Sequence, residues 1–161
     1  MAFRQGLIFV ALSAALLVTA PPAGASPRAA RTTLRLINRS RAAHHVPLLR
    51  PDPRLRTAAA RHSRDMVIHR YFSHRSRRGL RPSSRIARTG WMRGRRSWDV
   101  GEDLAWHISG ASARWVVRAW LHSPRHRRVL LDPAYRVVGI GVARGTPVGA
   151  AGLTVTADFG S

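Results

Sequence analysis

The sequence predicts an α+β domain in which helices come first and a β-hairpin closes the chain. Three observations carry this. Apolar side chains recur three and four residues apart after Thr32, after Pro53 and after Ser112, which is the helical period. Val137 to Ala143 and Gly152 to Phe159 are instead short runs rich in β-branched residues, joined by Gly145-Thr146-Pro147-Val148-Gly149, a linker of hairpin length. Helices grouped before strands bury their apolar faces by packing on a small antiparallel sheet.

Each element has its own reason. Arg4, the apolar run Leu7 to Ala20 and the small residues Ala23-Gly24-Ala25 have the layout of a secretory signal peptide, with cleavage expected between Ala25 and Ser26. That run is shorter than the roughly 20 residues a spanning helix needs, and Pro21-Pro22 stops any helix there. An uncleaved anchor is the alternative. Residues 26–31 read as a disordered lead, and 32–161 as one secreted, monomeric domain. The first helix starts near Thr32, turns Leu34 and Ile37 inward with arginines opposite, and ends before Pro47, which disfavours helical geometry at Val46. Asp52-Pro53 is an acceptor cap followed by a first-turn proline. It opens a second helix that stacks Leu55, Ala58, Ala59, His62 and Met66 on one stripe and stops near His69. Ser83 or Ser84 caps a short third helix closed by Gly90. Asp99 to His107 has the spacing of a strand. Ser112 caps a fourth helix with Trp115, Val116, Ala119 and Trp120 as its apolar face, Pro124 ends it, and a further helical turn covers His126 to Leu131.

Composition narrows the chemistry. The chain has no cysteine, so an exported protein of this size must hold itself together by packing, and thiol catalysis and thiolate metal sites are excluded. The net charge is +21, and every basic residue is arginine, a pattern we read as coding bias. Arg75 to Arg96 carries nine arginines and no acid. Such a face attracts anionic polymers through long-range, salt-sensitive forces; the plainer reading is a solvated surface with no dedicated partner. Outside a cell the polyanions are envelope polymers, lipid headgroups and stray nucleic acid, and no motif for specific nucleic-acid recognition is present.

Glu102, the chain's only glutamate, opens an apolar run and lies in sequence between Ser73-His74 and Ser123-Pro124-Arg125-His126-Arg127. The ordered series Leu36-Ile37-Asn38-Arg39-Ser40-Arg41, Pro47-Leu48-Leu49, Ala59 to Met66, Tyr71-Phe72-Ser73-His74, Arg85-Ile86-Ala87 before Gly90-Trp91, Gly101-Glu102-Asp103, Trp120 to Arg127, Val138 to Val142 and Asp158-Phe159-Gly160 resembles the CAP superfamily of cysteine-rich secretory and pathogenesis-related proteins, in its cysteine-free bacterial SCP-like branch. The resemblance implies an α-β-α sandwich, export, and a central cleft lined by histidines and acids, which maps onto His74, Glu102 and His126. Three departures stand out. Asp103 replaces the family's neutral asparagine by an acceptor, Arg125 stands where the bacterial pattern has glycine, and Ser123 stands where many relatives carry a second glutamate.

Two imidazoles and a carboxylate suit a divalent metal such as zinc, with a position left for water, and they equally suit proton transfer near neutral pH. The arginines flanking His126 should disfavour its charged form. The expected function is therefore a ligand-binding extracellular module for a lipid or a divalent metal. The alternatives are a metal-assisted hydrolase using His74, Glu102 and His126, and a cationic protein that docks on envelope polyanions. Each residue also has a plainer role. Glu102 can neutralise a nearby arginine, His74 can cap the second helix, and His62 within its apolar stripe reads as a packed, hydrogen-bonded core residue. Trp115 and Trp120 read as core. Ser73 and Ser123 lack the Gly-x-Ser-x-Gly context of a hydrolase nucleophile.

Overall fold

The computed structural model describes residues 27–108 and 112–161. The signal peptide expected over 1–25 lies outside the described residues. The described chain runs α1 Pro27–Ala43, β1 Arg50–Pro51, α2 Pro53–Ile68, α3 Pro82–Ala87, β2 Val100–Ile108, α4 Ala113–His122, α5 Pro124–Leu130, β3 Val137–Arg144 and β4 Gly152–Gly160. None of the described helices is long and apolar enough to cross a membrane.

The sheet has the order β1-β3-β4-β2, so β2 forms one edge. β2 pairs antiparallel with β4, and β4 with β3, as the closing hairpin predicts. The two-residue β1 pairs parallel with β3, through Arg50 with Val137 and Pro51 with Val138. Nothing in so short a segment signals a strand.

The architecture is an α-β-α sandwich because each strand alternates its faces. Val138, Ile140 and Val142 of β3 and Val155, Ala157 and Phe159 of β4 form one core with Ile37 of α1, Val116, Val117 and Trp120 of α4, and Leu130 of α5. The intervening positions face α2. A Cβ at Gly139 would sit 2.0 Å from Arg56 N and one at Gly141 2.2 Å from Ala59 C, so the two glycines let α2 lie directly on the sheet. Ser63 Oγ lies 3.2 Å from Gly141 O and 2.8 Å from Thr156 Oγ1, which pins α2 at that height.

The second helix matches its expected stripe, with Leu55, Ala58, Ala59, His62 and Met66 all buried. Asp52 caps it by accepting from Arg54 N at 2.8 Å and Leu55 N at 2.9 Å, while its other oxygen accepts from the Trp91 indole at 3.2 Å. Four expectations need correction. α1 begins at Pro27, so residues 27–31 of the expected lead are helical. α3 starts at Pro82 with Arg81 as its N-cap, because proline's fixed φ suits a first helical turn better than a serine cap one residue later. Arg41 is not on the outer face of α1 but fully buried. Its guanidinium donates to Pro47 O, Leu130 O, Asp132 O and Tyr135 O at 2.7–3.2 Å, which satisfies the charge without an acid. Trp115 is 46% exposed and meets the His107 ring edge-on, while Val117 takes the inward position.

Candidate functional site

Glu102 is placed by β2 and fixed by three partners. Its side chain is only 1% exposed, a burial that a carboxylate tolerates when its lone pairs are met. His74 Nδ1 lies 2.7 Å from Oε1, and the Arg85 guanidinium is bonded to Oε2 through Nη2. His62 Nε2 is 4.0 Å from Oε2. Arg85 does more than pair the charge. Its Nη1 donates to His74 O at 2.6 Å and to Leu80 O at 3.0 Å, so one buried guanidinium ties the loop after α2 to the edge strand.

The hydrogen bond fixes the His74 ring. A carboxylate oxygen only accepts, so Nδ1 carries a hydrogen and donates it to Glu102. The ring is 55% exposed, and Nε2 makes no hydrogen bond among the described residues. His62 is the packed core histidine that its stripe predicts, buried with Nε2 2.9 Å from Ser73 O. Burial, then the nearby Arg85 charge, lower its pKa, so it stays neutral.

His126 is carried by α5. No hydrogen bond joins it to Glu102 or His74. It is half-buried, and burial followed by the charge of His74 hold its pKa below the ordinary histidine range. The direction matches the expectation from its arginine neighbours, but the causes are burial and His74. Glu102 and His74 are therefore in contact, and His126 shares their electrostatic environment without touching them. Of the two serines, Ser73 Oγ accepts from Arg75 N at 3.1 Å, and Ser123 precedes α5.

Residues 34–159 match the model of the cysteine-rich secretory protein family, CAP. The chain belongs to this family. It is 33% identical over 114 residues to the membrane protein YlbC of Bacillus subtilis (strain 168), a match covering 69% of this chain and 30% of that protein. Among solved structures, an extracellular protein containing an SCP domain from Bacillus anthracis is similar at 28% identity and a TM-score of 0.69, over 82% of this chain and 40% of that one. An outer surface protein of Borrelia burgdorferi is similar in fold, at 21% identity and a TM-score of 0.71, over 86% and 98% of the two chains. The chain thus spans well under half the length of YlbC and of the B. anthracis protein.

Within this CAP domain two more acids complete the picture, and the first resolves a departure from the family pattern. Asp103 is fully buried and neither oxygen has a hydrogen-bond partner. Burial, then the charge of Glu102, push its carboxyl up to about 8. At neutral pH it therefore keeps its proton, and a neutral carboxylic acid has the shape and the donor of the family's asparagine. The expectation of an acceptor-only side chain fails for this reason. Asp158 stands directly opposite Glu102 in the β2–β4 register, on the face toward α2. It too is buried without a donor in reach, and burial, then Glu102, raise its pKa well above the ordinary carboxylate range. Two facing carboxylates repel, and the raised pKa of Asp158 relieves that repulsion by favouring its neutral form.

His74, Glu102 and His126 do not fit a metal as three joint ligands. Both Glu102 oxygens are committed, one of them to a cation, and no group of three His, Asp or Glu side chains could hold an ion among the described residues. The donor chemistry of the two imidazoles taken singly is a different matter. A histidine whose Nδ1 donates to a carboxylate and whose Nε2 is free has the arrangement of a metal ligand with its supporting acid, and His126 is a second imidazole kept neutral. Sequence reasoning quoted Arg85 and Asp158 within motifs of the family series but gave neither a role at the site.

Proposed function

We propose that this CAP-family protein is an extracellular ligand-binding module whose cleft takes a divalent metal such as zinc on the imidazoles of His74 and His126. Glu102 stands behind His74 as its orienting acid and is not itself a ligand. The 2.7 Å bond from His74 Nδ1 to Glu102, with Nε2 left unbonded, carries the reading. The leader expected at the N-terminus and the printed description of the B. anthracis relative as extracellular support the location. A bound metal would supply Lewis acidity in the cleft. This chain's residues supply orientation, through Glu102 and Arg85, and a neutral second imidazole. A lipid is not the ligand that imidazole, carboxylate and guanidinium groups favour here.

Calorimetric titration of zinc tests the proposal. Wild type is expected to bind, His74→Ala and His126→Ala to lose binding, and Glu102→Gln to weaken it by about 10–100-fold, the range for losing a supporting carboxylate. Unchanged binding in all three variants would sink it. Metal-free general-base hydrolysis is the second reading, favoured by the same hydrogen bond: Glu102 orients His74, and Nε2 takes a proton from water. It predicts an activity that survives chelation and is lost in His74→Ala.

A further inference from the structure

A groove of about 580 Å³ lies between α2 and segment 76–88, apart from the exposed face of His74. Four exposed arginines line it, Arg61 from α2, Arg77 and Arg78 from the loop, and Arg88 just after α3. Among the described residues, none of their guanidiniums makes a hydrogen bond or an ion pair. The groove holds one acid, Asp65, and it is already engaged, by His69 Nδ1 at 2.9 Å and by the Tyr71 hydroxyl. Four like charges thus face one concavity against a single carboxylate whose oxygens are already taken.

The wall that carries them is built. Ser76 N donates to Leu80 O at 3.0 Å, Gly79 N donates to Ser76 O at 2.8 Å, and Leu80 N donates to Ser76 Oγ at 3.1 Å. Gly79 takes φ of +76°, a conformation that favours glycine, so Arg77 and Arg78 sit at the tip of a closed turn. Arg85 bonds Leu80 O from inside and anchors that turn to the sheet through Glu102. A solvated basic face needs none of this.

We propose that the groove is a binding site for an extended phosphodiester chain. Guanidinium forks match the oxygens of phosphate, and four of them along one groove ask for successive phosphates rather than one ion. A concave site admits a chain, whereas a flat anionic membrane presents no segment to enter it. The groove shares His62 and Arg85 with the surroundings of Glu102, but the four arginines that carry the inference make no contact with His74 or Glu102.

The test measures binding of a labelled glycerol-phosphate oligomer to the full chain by fluorescence anisotropy, from about 50 to 200 mM salt. Wild type should bind with affinity that falls steeply as salt rises, by a log–log slope near −0.7 for each phosphate contacted. The exposed double variant Arg77→Ser/Arg78→Ser should bind at least about tenfold more weakly, with a slope shallower by about 1.4. Arg118→Ser/Arg128→Ser removes equal charge outside the groove and should change affinity less than about twofold if the groove is the site. Equal losses in the two double variants would overturn the site. Equal binding of polyglutamate of matched charge would overturn the phosphate assignment, and preference for phosphatidylglycerol vesicles would reassign the surface to a membrane. A single-stranded oligonucleotide of matched length separates the two sources of the same chemistry: weaker binding than the glycerol-phosphate chain points to an envelope polymer, and tighter binding points to nucleic acid.

Discussion

Two buried acids make specific claims at the scale of single residues. The Asp103 carboxyl titrates near 8 when folded and near 4 when unfolded, so the folded state binds the extra proton between those values. The stability it contributes is complete below about pH 4 and is lost as pH rises toward 8, at about 1.4 kcal/mol per pH unit. Asp158 acts in the same direction. Asp103→Asn keeps the neutral shape and should remove one such slope, so it gains on wild type steadily from pH 5 to 8 in urea unfolding. Parallel stability curves for the two proteins would contradict the assignment. Arg85 makes the opposite kind of claim. Arg85→Met leaves the Glu102 carboxylate and two loop carbonyls buried without their donor, which should cost about 3–5 kcal/mol, the range for breaking a buried pair. A loss below about 1 kcal/mol in the same assay would show that the pair is not the clamp described.

At the scale of elements, the contact of α2 with the sheet governs the site, because α2 sets where the His74 loop begins. Gly141→Ala would drive a Cβ against Ala59 backbone, which cannot yield as a side chain can, and should cost about 3 kcal/mol by urea unfolding. A neutral result would mean that α2 sits higher than 2.2 Å contacts imply. Much of this level was legible in the sequence. The Asp52-Pro53 cap, the α2 stripe and the closing hairpin each rest on local chemistry, and local chemistry decides them. Elements decided by distant partners were not legible. β1 exists only because Arg50 and Pro51 meet β3, and Arg41 turns inward only because the end of α5 offers carbonyls to receive it. Trp115 illustrates the same limit, since helical spacing admits both Trp115 and Val117 to the core and tertiary packing chose the smaller.

At the scale of the whole molecule, the family's order of motifs located His74, Glu102 and His126, and the fold then assigned them unequal roles. Glu102 and His74 bond directly; His126, on α5, makes no hydrogen bond to either. The groups that support Glu102 were hidden for different reasons. Arg85 was lost among identical neighbours, and Asp158 becomes a partner only through the register of β2 and β4. An acidic site is thereby sustained inside a chain of net charge +21, with one arginine turned inward to hold it. The most direct test of this account is the state of the His74 ring, read by long-range proton–nitrogen NMR of the imidazoles before and after adding zinc. The account predicts a hydrogen on Nδ1, held by Glu102, and an Nε2 that shifts, together with His126, when zinc is added. A ring with its hydrogen on Nε2, or a bare Nε2 indifferent to zinc, would contradict it.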